Sequence, residues 1–93
     1  MVSRREMMAT IRDRVARGRA MAQAGQQPDP DDPNPPYMPG TRLPATKDLV
    51  AEFEVSEPTV LSAMQILDAE GTIQNRWGIG RFVPPLPGEE GAS

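Results

Sequence analysis

A mainly α-helical domain carrying a small β-hairpin follows from three observations in this chain. Residues 4–23 place apolar side chains on one helical face behind a capping signal. Residues 45–71 hold two further helical stretches separated by a three-residue turn. Residues 72–83 then supply two short strands around a glycine-rich turn. Apolar spacing, caps and turn residues are the signals that separate helix from strand.

The first helix opens on Ser3-Arg4-Arg5-Glu6, a capping box whose hydroxyl and carboxylate each satisfy a free terminal N–H. Met8, Ile11, Val15 and Ala22 fall near one face, and Arg12, Arg14, Arg17 and Arg19 fall mostly off it. Asp13 and Arg17 are spaced to pair. Gly18 weakens the middle of this helix. From Gly25 to Pro36 the chain holds Pro28, Pro30, Pro33, Pro35 and Pro36 among Asp29, Asp31 and Asp32. Prolines remove donors and force extended backbone, so this stretch predicts a solvated, flexible linker, or else an acidic strip shielding the basic helix.

Order returns at the turn signal Tyr37-Met38-Pro39-Gly40. Leu49, Val50 and Phe53 then define a short helix over about 45–53, and Glu54-Val55-Ser56 forms the turn after it. Ser56 is a helix N-cap, and Pro58 sits in the first turn, where its missing N–H costs nothing. Val60, Ala63, Met64 and Leu67 make the inward stripe of this third helix, which Gly71 ends in the left-handed region. Strands over Thr72–Arg76 and Arg81–Val83 flank the turn Trp77-Gly78-Ile79-Gly80. A short helix, a tight turn and a second helix make a helix-turn-helix, and the trailing hairpin makes it winged. The predicted organisation is a basic helix at 1–24, a linker at 25–36, the winged helix-turn-helix at 37–83 and a disordered tail at 84–93. Within it, the helix-turn-helix covers about 46–65 and the wing about 72–83.

Composition narrows the chemistry. The 93 residues contain no Cys and no His, which removes disulfides, thiolate zinc sites and imidazole catalysis. No carboxylate pair has the spacing of a buried acid/base couple, so the expectation is no enzyme, no metal and no cofactor. No apolar run approaches the ~18 residues of a membrane span, and the arginine-rich start has no continuous apolar stretch for a signal peptide. The expected setting is therefore the cytoplasm. The net charge is −3, with 10 basic against 13 acidic residues, unlike a general polyanion binder. The charge is unevenly spread: six arginines stand before residue 25, against only Glu6 and Asp13.

Residues 37–83 resemble the DNA-binding domain of GntR-type (gluconate-repressor) regulators. The resemblance rests on Tyr37-x-Pro-Gly-Thr-Arg-Leu-Pro44, Leu49-Val-Ala-Glu-Phe53, Val55-Ser56-x-Pro58-Thr59-Val60, Leu67-Asp-Ala-Glu-Gly71 and Gly78-x-Gly80-x-Phe82-Val83. It implies that the basic helix is the family's first helix, followed by an unusually long insertion. It also implies double-stranded DNA as the partner, and a chain stopping ten residues after Val83 implies no small-molecule effector domain. Three basic positions do much of the family's DNA contact. Here they read Lys47, Glu57 and Leu61, so one keeps its charge and two do not. Glutamate can accept from cytosine N4, and leucine can touch a thymine methyl.

The residues expected to meet DNA are Thr46, Lys47, Thr59, Ser62, Gln65, Arg76, Gly78, Gly80 and Arg81. Hydroxyls, amides and cations on a recognition helix reach phosphates and base edges, and glycines in a wing admit a phosphate close to the backbone. The expected function is a sequence-specific transcriptional regulator, a repressor, binding an inverted repeat as a homodimer. The Met7, Met8 and Ile11 cluster is the expected dimer surface. The competing expectation is a winged-helix adaptor whose Glu57, Leu61 and Ile66 bind a protein partner.

Overall fold

The computed structural model describes residues 2–76 and 80–86. Among these residues, three helices and a two-stranded antiparallel sheet follow in the order α1 (Arg4–Gln23), α2 (Thr46–Phe53), α3 (Glu57–Ala69), β1 (Gln74–Arg76) and β2 (Gly80–Phe82). This is the winged helix-turn-helix expected from the sequence. Of the turn expected over Trp77, Gly78, Ile79 and Gly80, only Gly80 is described, as the first residue of β2, and of the expected tail, residues from 87 onward lie outside the described residues.

Helix α1 starts where its capping signal sits, with Ser3 Oγ accepting the Glu6 N–H at 3.1 Å. Its inward stripe buries Met7, Met8, Ile11 and Val15 in the domain's own core. That overturns the expectation that Met7, Met8 and Ile11 form a dimer surface: they are spent on α1's own packing. The physical reason is that α3 packs on both α1 and α2, so α1 closes the core. Met7 and Ile11 are fully buried, together with Leu49, Val60, Leu67, Ile73 and Val83.

The proline-rich segment runs back along α1. Asp29 and Asp32 each accept a backbone N–H two residues on, from Asp31 and Asn34, at 2.9 and 2.8 Å. Pro36 and Tyr37 are buried, and the Tyr37 N–H donates to the Arg14 carbonyl at 3.0 Å. Gly18 faces this crossing, which is its role in a helix it would otherwise weaken. A Cβ there would lie 2.0 Å from the Tyr37 carbonyl oxygen.

Arg14, which its spacing puts off the apolar face of α1, is buried all the same. It is only 6% exposed. Its guanidinium donates to Asn34 Oδ1 at 2.6 Å and to the Tyr37 hydroxyl at 2.8 Å, and pairs with Glu52 of α2. It also stacks over the Tyr37 and Phe53 rings. Burial works against its charge, but the Glu52 carboxylate and Tyr37 outweigh that and hold its pKa above the ordinary value. Burial also pushes the Tyr37 phenol up, against the pull of Arg14.

Between α2 and α3, Glu54 adopts the left-handed region with φ 53 and ψ 47. Ser56 caps α3, its hydroxyl taking the Thr59 N–H at 3.4 Å and meeting the Thr59 hydroxyl at 2.9 Å. Gly71, with φ +87, ends that helix while Thr72 N–H reaches back to the Leu67 carbonyl at 2.9 Å. The strands pair as Gln74↔Phe82, Asn75↔Arg81 and Arg76↔Gly80. Residues 40–43, which follow on from the turn expected at 37–40 and for which no strand is expected, add a third edge to this ribbon. Gly40 and Leu43 donate to the Val83 and Arg81 carbonyls, and Val83 donates to Thr41, each at 2.9 Å. The Arg42↔Phe82 bridge completes the pairing.

Candidate nucleic-acid interface

Three pieces of the fold carry the expected DNA-contacting residues: the first turn of α2, the outer face of α3, and the wing. Arg81 on β2 connects them. Its Nη1 donates to the Thr46 hydroxyl at 3.1 Å, at the start of α2, and its side chain lines a groove against α3. That groove, about 240 Å³, is bounded by Leu61, Met64, Gln65 and Asp68 of α3 and by Asn75 and Arg81 of the wing. Lys47 follows Thr46 in the first turn of α2 and is exposed. Cations on a helix's first turn sit beside free N–H groups, and both favour an approaching phosphate.

The outer face of α3 divides into two flanks. Leu61, Gln65 and Asp68 face the wing. Pro58, Thr59 and Ser62 face α1, where they line a second, open groove of about 610 Å³ with Ser3, Arg4, Arg5 and Met8. Ser62 accepts from Arg4 Nη1 at 2.9 Å, and Thr59 is half-buried with its hydroxyl on Ser56. Both hydroxyls therefore have partners already, and DNA would have to share or displace them. Gln65 is exposed.

On the wing, Arg76 is exposed and its guanidinium lies 5.6 Å from the centre of the Phe82 ring. Gly80 holds φ +125, and a Cβ on it would meet the Arg42 guanidinium at 3.1 Å. The space a side chain would take there belongs to Arg42. Gly78 lies outside the described residues. Arg42 itself was not among the expected site residues. Its pairing with Phe82 brings it to the wing, a contact between positions forty residues apart that no local pattern announces.

The basic helix supplies fewer free cations than its composition suggests. Arg12 forms a two-pronged pair with Glu70 of α3, at 2.6 and 2.9 Å. Arg12, with help from the Thr72 hydroxyl, holds the Glu70 carboxyl down at about 2. Arg17 binds Asp13 at 2.9 Å and the Asn34 carbonyl at 2.8 Å, and approaches Asp32 at 4.0 Å. With Arg14 buried, Arg4 and Arg5 remain as the α1 cations facing α3, across the second groove.

Leu61 and Ile66 are the large apolar side chains exposed among the described residues, at 41% and 36%. Five residues apart, they are separated by about 140° around the helix, so they do not make one continuous patch. Among the described residues no helix is long and apolar enough to cross a membrane.

A helix-turn-helix with a flanking β-ribbon, bearing cations at the α2 terminus and along the wing, defines the class of winged-helix DNA-binding domains. The family model of bacterial regulatory proteins, gntR family, matches residues 34–83, more than half of the chain. The chain belongs to the GntR family, and its domain is that of a DNA-binding transcriptional regulator. No solved structure matches it. Helix α1 precedes the matched region yet completes the same core.

Proposed function

We propose that the protein is a transcriptional repressor that grips an inverted repeat as a dimer, α3 in the major groove and the wing on the adjoining backbone. The observation that carries this reading is the position of Arg81. One side chain bonds the α2 terminus at Thr46 and lines the groove against α3. A single arm of duplex could therefore engage all three pieces at once. In this reading Lys47, Arg76 and Arg81 hold phosphates, with Arg42 beside them. Arg4 and Arg5 hold the backbone on the far flank of α3. Thr46, Thr59 and Ser62 add hydroxyl contacts, Gln65 offers its amide to a base edge, and Gly78 and Gly80 bring the wing backbone near the DNA.

Dimerisation is supported by size. One small module covers too little duplex for tight specific binding, and a two-fold pair doubles its contacts and matches a palindromic site. Repression is the simplest outcome, because occupying a promoter excludes polymerase and needs no surface beyond the DNA-binding face. Such a regulator acts where the DNA is, in the bacterial cytoplasm. The second reading, an adaptor using Glu57, Leu61 and Ile66, draws on the exposure of its two aliphatic residues. Their angular separation on α3 argues against it.

Selection of bound duplexes from a random pool tests the proposal. Enrichment of an inverted repeat, with half-sites about one helical turn apart, is the expected result. Failure to enrich any duplex at low salt would overturn it.

A further inference from the structure

Leu61 stands out on α3 because, among the described residues, the buried core is closed without it. The inward stripe of Val60, Ala63, Met64 and Leu67 is complete and buried without it. Leu61 is 41% exposed, on the flank that lines the groove to the wing beside Gln65 and Arg81. Glu57, one turn earlier, and Gln65, one turn later, are both polar and exposed.

The major groove presents one apolar feature among its base edges, the C5-methyl group of thymine. A leucine set against guanine or cytosine would strip water from N7, O6 or the N4 amine and return no hydrogen bond, which is unfavourable. Against a thymine methyl it buries apolar surface on both partners. Resting on the DNA-binding reading above, we infer that Leu61 is a specificity-determining residue that reads a thymine methyl in each half-site. Its preference comes from contact with the methyl, so it distinguishes thymine from uracil as well as from cytosine.

The test uses the full chain and the duplexes enriched by selection, with deoxyuridine replacing thymidine one position at a time. This exchange removes a methyl group and leaves base pairing unchanged. Fluorescence anisotropy should find one thymine per half-site whose replacement weakens binding about fourfold, the effect of losing one buried carbon. L61A, with an unchanged circular dichroism spectrum, should bind the thymine and uracil duplexes equally well. Equal binding of every uracil duplex by the unaltered protein, or L61A retaining the discrimination, would overturn the assignment of Leu61 while leaving DNA binding intact. Absence of any duplex binding would overturn the DNA-binding reading, and this assignment with it.

Discussion

Gly18 and Tyr37 meet at a crossing so close that a single added carbon on the helix would sit 2.0 Å from the tyrosine carbonyl oxygen. The Tyr37 N–H is bonded one turn away, to the Arg14 carbonyl at 3.0 Å, so the returning chain cannot simply move off. Helix propensity alone says that alanine at position 18 stabilises by about 1 kcal/mol. The clash is with backbone and outweighs that gain. G18A should therefore lower stability by about 2 kcal/mol in urea unfolding. A more stable G18A would mean that the return segment does not lie against α1.

Arg14 ties α1, the proline-rich segment and α2 together through Asn34, Tyr37 and Glu52. Removing it leaves the Tyr37 hydroxyl without its donor and opens a gap between two rings. Glu52 retains much of its access to water, so the loss is smaller than for a fully buried pair. R14M should cost about 2 kcal/mol in the same measurement. A neutral result would show that Arg14 contributes nothing to holding the three segments together.

Glu54 holds a left-handed backbone with a side chain that disfavours it. Glycine adopts this conformation freely, at some entropic cost in the unfolded chain. E54G should raise stability by about 0.5–1 kcal/mol and leave the α2–α3 geometry unchanged. Destabilisation by that substitution would show that Glu54 makes a contact the turn depends on.

The Glu70 carboxyl, held at about 2 by Arg12 and Thr72 against an ordinary value of 4.5, makes α1–α3 docking sensitive to acid. A depressed carboxyl stabilises the fold above its unfolded pKa. That contribution fades as pH falls from about 4.5 toward 2, when the unfolded chain takes up the proton first. E70Q should melt less steeply with acid across this window, followed as Tm against pH. Parallel acid curves for the two proteins would contradict the pairing.

The elements were legible where the signal is local. Ser3 and Ser56 announce their helices through hydroxyl caps, Gly71 announces an end, and Val60, Ala63, Met64 and Leu67 announce a buried stripe. What escaped is long-range. Arg14 carries a charge, and charge near a helix surface reads as solvent-facing until a Tyr, an Asn and a Glu from elsewhere close around it. Met7, Met8 and Ile11 look like a free apolar face until α3 covers them. Arg42 joins the wing only through pairing with Phe82. Of the site, Lys47 could be named from the family motif and Arg81 from its place beside the hairpin glycines, but the Arg81–Thr46 bond that connects the wing to α2 could not.

Duplex affinity as a function of salt, for the unaltered protein and for K47A and R81A, decides whether α2 and the wing grip DNA. Both positions lie clear of the buried core, so the variants should fold. Log affinity should fall linearly with log salt. Each variant should weaken binding about three- to tenfold, whatever the sequence, and reduce the slope by about one. No binding at low salt, or variants whose affinity and slope match those of the unaltered protein, would contradict such a grip.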